Sequence, residues 1–67
     1  MSRKDTISLL KRRVRTLAVQ ARRQPETAQM VYGYLEQVRR WARRNSASSL
    51  VVATREAKNY ILEVAHA

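Results

Sequence analysis

The chain reads as an all-α protein, a three-helix bundle with short connections, and three observations predict it. One Gly and one Pro among 67 residues leave almost no turn punctuation, which excludes a sheet built of hairpins. Good helix formers, chiefly Ala, Leu, Arg, Glu and Gln, dominate the composition. Apolar residues then recur three and four apart in three successive segments, the spacing of one helix face. The expected helices run over about 4–23, 26–44 and 48–65, as a single domain spanning 1–67.

The first helix is expected to begin at Ser2 or Asp5, either of which can cap free backbone N–H groups. Ile7, Leu10, Val14, Leu17 and Ala21 form its buried stripe. The pattern ends at Arg22-Arg23-Gln24, because Pro25 cannot continue that helix but suits the first turn of the next. Glu26 sits in that turn, where the helix dipole favours a carboxylate.

The second helix repeats the spacing with Ala28, Val31, Leu35, Val38 and Ala42, and carries a second stripe of Met30, Tyr34 and Trp41. Two stripes predict a helix that covers two neighbours, the middle member of the bundle or a dimer seam. Gly33 falls opposite the core. It costs about 1 kcal/mol against Ala in a helix interior, so it predicts a kink or the close approach of another backbone.

Asn45 is the expected end of that helix, and Ser46 or Ser48 the expected cap of the third. Leu50, Ala53, Ala57, Tyr60, Ile61 and Val64 are its expected core. The β-branched residues Val51, Val52 and Thr54 also suit a short strand at 50–54. Helical spacing continuing to Val64 favours the helix.

A chain this short buries only about 60% of the surface its unfolded form exposes. It contains no cysteine, and its one histidine is His66. Disulfides and a Cys/His zinc site are therefore excluded, and no metal or cofactor is expected. Tight helix packing must hold the fold together, in a monomer or a homodimer. The absence of cysteine fits a cytoplasmic, reducing compartment. No apolar core follows Arg3 and Lys4, so the N-terminus reads as mature sequence rather than a secretory signal. The longest uncharged run, Asn45 to Thr54, is too short and too polar to span a membrane.

The charge is +9, from fourteen Lys and Arg against five Asp and Glu. It is uneven: residues 1–23 hold eight cations and one acid, 24–45 four and two, and 46–67 two and two. Eleven of the cations are Arg, whose planar fork suits phosphate. Arginines in the last turn of a helix also complement its dipole, which accounts for Arg22, Arg23, Arg43 and Arg44 on structural grounds alone. Dipole complementation does not account for seven net charges in 23 residues, which repel one another unless an anion is present.

At 100° per residue, Lys4, Lys11, Arg15 and Arg22 fall within roughly 40° along one flank of the first helix. Antiparallel packing of the first two helices predicts that Lys4, Lys11, Arg12 and Arg15 gather with Arg39, Arg40, Arg43 and Arg44 at one pole. The expected function is nucleic-acid binding, to DNA or RNA, mainly through phosphate contacts from these eight residues. Tyr34, Tyr60 and Trp41 read as core residues. Tyr32, at the edge of the stripe, is the better candidate for stacking on a base.

The stretch Ala28 to Trp41 has the central glycine and basic end of a helix-turn-helix, but Val38 sits one residue too close to Gly33. The three-four spacing also runs unbroken through the glycine, so a continuous helix is expected instead. An enzyme is not expected: the five acids are scattered, and no histidine is placed to activate a serine. The rival reading is a protein-interaction module, a small inhibitor, adaptor or assembly subunit, using the neutral third helix. Val51 and Leu62 on one side of that helix are its candidate partner surface. Ala- and Val-rich stripes are weak for lipid insertion, so no membrane insertion is expected.

Overall fold

Ser2 starts the first helix in the way its side chain permits. Its backbone is extended and its Oγ accepts a hydrogen bond from the Asp5 amide at 3.2 Å, leaving α1 to run from Arg3 to Arg23. Ser2, not Asp5, is the cap; Asp5 adds a carboxylate in the first turn, where the dipole favours it. The computed structural model describes the backbone of residues 2–65 and the side chains of 2–63. The expected burial of Val64 and the position of His66 lie outside the described side chains.

Pro25 opens a 3₁₀ turn, Pro25–Thr27, which passes directly into α2, Ala28–Arg44. Thr27 ties the turn down by donating to the Gln24 carbonyl from both its amide and its hydroxyl. Gly33 does not interrupt α2. The helix is continuous through it, which rules out the turn of a helix-turn-helix, and a Cβ built there would meet nothing within 4 Å. Gly33→Ala is therefore expected to raise stability by about 1 kcal/mol. For a domain of this size that is roughly 4–8 °C in Tm. A melting curve that moves down would show that the glycine has a structural task in the folded chain.

The end of α2 is a Schellman motif. The Ser46 amide donates to Arg43 and the Ala47 amide to Ala42, while Ser46 takes a positive φ of 53°. Left-handed backbone costs an L residue about 1–2 kcal/mol, and glycine escapes that cost. Ser46→Gly is thus expected to stabilise the protein by about 0.5–1 kcal/mol, read as a higher midpoint in urea. A lower midpoint would mean that the serine side chain contributes more than the strain removes.

Helix α3 spans Ser48–Ala65, so the strand considered at 50–54 does not form. The residue before it is Ala47, not one of the serines expected to cap it. The Ala47 carbonyl accepts from the amides of Leu50 and Val51, and its side chain is buried. The physical reason is that Ala47 also closes the preceding motif, which needs an apolar contact back onto α2.

Arg22, in the last turn of α1, lies over Tyr60, far along α3. The two helices therefore run parallel, with α2 antiparallel to both, in an elongated bundle of 37 × 17 × 15 Å. Helix α3 packs against both of the others, and α1 and α2 touch each other less. The middle helix is therefore α3, not α2 as its two stripes suggested. Of the second stripe, Tyr34 and Trp41 do pack against the core, but Met30 is 64% exposed. Small residues on α3 explain its place: Ala53, Thr54 and Ala57 let it approach a neighbour on either flank.

The core joins Val14, Ala18 and Ala21 of α1 with Val31, Leu35, Val38 and Ala42 of α2 and Leu50, Ala57 and Ile61 of α3, with Ala47 at the connection. Thr54 is buried among them, its hydroxyl donating to the Val51 carbonyl at 2.8 Å, so that hydroxyl is satisfied, whereas the buried Tyr34 hydroxyl has no hydrogen-bond partner among the described residues. Tyr60, expected in the core, is 37% exposed. Its ring instead supports the Arg22 guanidinium, 4.3 Å from the ring centroid.

Candidate nucleic-acid interface

The packing of α3 between its neighbours leaves two grooves, and the cations divide between them. The groove between α1 and α3, about 270 Å³, has a floor of Val14, Ala18, Ala53 and Ala57. Lys11 and Arg15 stand on its α1 side and Glu56 on its α3 side. The carboxylate lowers the anion-attracting potential there.

The groove between α2 and α3, about 320 Å³, is different in kind. Arg39 and Arg43 line it from α2, and Arg55 and Lys58 from α3. Tyr32 also lines it, over a floor that includes Leu35, Val51 and Thr54. Tyr32, Glu36, Arg39 and Arg43 are spaced four, three and four apart, so they form one row along α2. The antiparallel course of α3 brings Arg55 and Lys58 opposite that row.

One carboxylate, Glu36, faces these four cations. It accepts hydrogen bonds from Nε and Nη2 of Arg39, and Arg40 Nε lies 3.5 Å from it. The Arg39 hydrogen bond, with the nearby charges of Arg39, Arg40 and Lys58, holds the Glu36 carboxyl below the usual carboxylate range. The same hydrogen bond raises the pKa of Arg39. Lys58 contributes across the groove, consistent with its place on the opposite wall. The pairs are exposed and span single helical turns, so they set side-chain orientation more than stability.

The eight cations expected at one pole do not line a single groove. Lys11 and Arg15 lie on one side of α3, and Arg39 and Arg43 on the other. Lys4, Arg12, Arg40 and Arg44 are exposed and line neither groove. The helices are antiparallel as expected, but the third helix sits between the two sets of charge. A wheel drawn for each helix separately does not contain that separation.

Arg55 and Lys58 were missed because α3 has no net charge. Its charges are sorted by side, with Arg55 and Lys58 toward α2 and Glu56 toward α1. A wheel of α3 alone would have shown the sorting, since Arg55 and Lys58 are three apart. Val51 and Leu62, read as a partner surface, are both half-buried. Val51 packs against the core and forms part of the cationic groove's floor, so it does not belong to a separate neutral face.

Among the described residues no cluster of His, Cys, Asp or Glu could hold a metal ion. No described helix is long and apolar enough to cross a membrane. Comparison with protein-family models, with curated proteins and with solved structures found no match to this chain.

Proposed function

We propose that this protein binds nucleic acid through phosphate contacts in the groove between α2 and α3. The observation that carries the reading is the facing pair of cationic walls, Arg39 and Arg43 against Arg55 and Lys58, with only Glu36 opposing them. Cations that face one another across a recess raise the local potential more than the same charges spread over a convex surface. Arginine supplies three of the four, in the fork geometry that phosphate oxygens match. Lys4, Lys11, Arg12, Arg15, Arg40 and Arg44 add a broader positive field that steers the polyanion inward.

Four phosphate contacts release about 0.7 counterions each from a single strand and about 0.9 each from a duplex. The expected slope of log K against log salt is thus about −3, or a roughly fiftyfold loss of affinity between 50 and 200 mM salt. Fluorescence anisotropy with labelled DNA and RNA across a salt series measures it. Affinity that is flat in salt, or no better than millimolar at low salt, would overturn the proposal.

Glu36 gives a prediction of opposite sign. Glu36→Gln removes the carboxylate from the groove and frees Arg39 and Arg40, so the variant is expected to bind more tightly and to steepen the salt slope. Acid should act the same way as the carboxyl takes up its proton. Because the folded-state pKa is depressed, the pairing favours the fold above the usual carboxylate range and is lost as pH falls through the depressed value. Tighter binding in acid should therefore accompany a slightly less stable α2. Weaker binding by Glu36→Gln would show that the carboxylate touches the ligand instead of opposing it.

A further inference from the structure

We infer that the α2/α3 groove takes a single strand of nucleic acid in preference to a duplex, with one base stacked on Tyr32. The inference rests on the nucleic-acid reading above and goes beyond it in naming the strand state and the stacking residue.

Shape is the first argument. The four cations line the walls of a recess between two packed helices, whose axes stand about 8–10 Å apart. Duplex DNA is read by the reverse arrangement, a protruding helix or ribbon that enters a groove about 12 Å wide. Among the described residues α2 is continuous through Gly33, and no turn sets off a reading helix within it. A single sugar-phosphate chain is narrow enough to lie between the walls and meet Arg39 and Arg43 on one side and Arg55 and Lys58 on the other.

The second argument is Tyr32. It lines the same recess, in the row that continues through Glu36 to Arg39 and Arg43, and is half-buried with part of the ring packed on the core. A ring fixed along one side and open to a cationic groove is a stacking platform already ordered before the ligand arrives. Every base has a π-face, so such a site tolerates sequence, in keeping with a groove otherwise built for phosphates. Tyr34 and Trp41 pack against the core and line neither groove.

The third argument is length. From Tyr32 to Arg43 the helix rises about 16 Å. At about 3.4 Å per stacked nucleotide this holds roughly five nucleotides, at the short end of single-strand site sizes. Paired bases present no free face to a side chain within the stack, so only an unpaired strand can use the tyrosine and the cations together.

The test compares an oligothymidylate ladder, a duplex of matched length and heparin at about 50 mM salt, using the whole chain and the variants Tyr32→Leu and Tyr32→Phe. The single strand is expected to bind at least about tenfold more tightly than the duplex, with affinity levelling off near five or six nucleotides. Tyr32→Leu should lose about tenfold for the strand and leave heparin unchanged, while Tyr32→Phe keeps both. The heparin arm separates a lost stacking partner from a damaged fold. If the duplex binds as tightly as the strand, or Tyr32→Leu binds the strand like the parent, the single-strand inference fails and nucleic-acid binding stands. If heparin binds and neither nucleic acid does, the proposed function itself fails, and this inference with it.

Discussion

Replacing Leu50 with alanine is expected to leave the protein largely unfolded at room temperature. Leu50 is fully buried and, with Val14 and Val31, is one of the largest side chains that are. It stands in the first turn of α3, the helix that packs against both others. Around it the core is mostly Ala and Val, residues that bring helices close but bury little area each. Truncating a buried leucine costs about 2–5 kcal/mol. A single core in a chain of fewer than 70 residues rarely supplies more than about 3–5 kcal/mol in total. The two figures are comparable, so the loss should read as collapse of the helical circular dichroism signal, not a modest shift of the melt. Leu50→Met keeps the volume and should cost less than about 1.5 kcal/mol. A Tm that falls by less than about 5 °C in Leu50→Ala would mean that α3 is anchored elsewhere.

Neutralising the groove is expected to be the largest functional change. The combined substitution Arg39→Gln, Arg43→Gln, Arg55→Gln and Lys58→Gln removes every cation that lines the groove and leaves Glu36 paired only with Arg40 outside it. Four exposed contacts at somewhat under 1 kcal/mol each amount to an affinity loss on the order of a hundredfold at low salt. The salt slope should flatten by about 3. Glutamine is a good helix former and none of the four is a core residue, so helical content should hold. The comparison that matters is Lys4→Gln, Lys11→Gln, Arg12→Gln and Arg15→Gln on α1, which removes the same number of charges. If binding follows net charge alone, both variants lose affinity equally. The groove assignment requires the α2/α3 set to lose at least about tenfold more, and equal losses would sink it.

Both variants bear on how much of this molecule is legible without a structure. The helix bounds were, to within a residue or two, because each end is set by local chemistry: Ser2 with the Asp5 amide, Pro25 after Gln24, and Asn45 at the end of α2. The core face of each helix was too, since period alone places Val14, Val31, Leu35, Val38, Leu50 and Ile61 inward. Charge was legible as an amount and not as a place. Lys11 and Arg39 belong to one basic total, yet α3 lies between their grooves. Arg55 and Lys58 vanish into a net charge of zero, yet they complete the groove that Arg39 and Arg43 begin.

The all-helical class, the order and extent of the helices and the excess of arginine are therefore properties of the sequence, since each follows from residues within a few positions of one another. Which helix lies in the middle, which flank of α3 faces α2, and which four cations face each other are properties of the tertiary structure. They depend on how closely Ala53, Thr54 and Ala57 let α3 approach both neighbours, and that distance is set by all three helices at once.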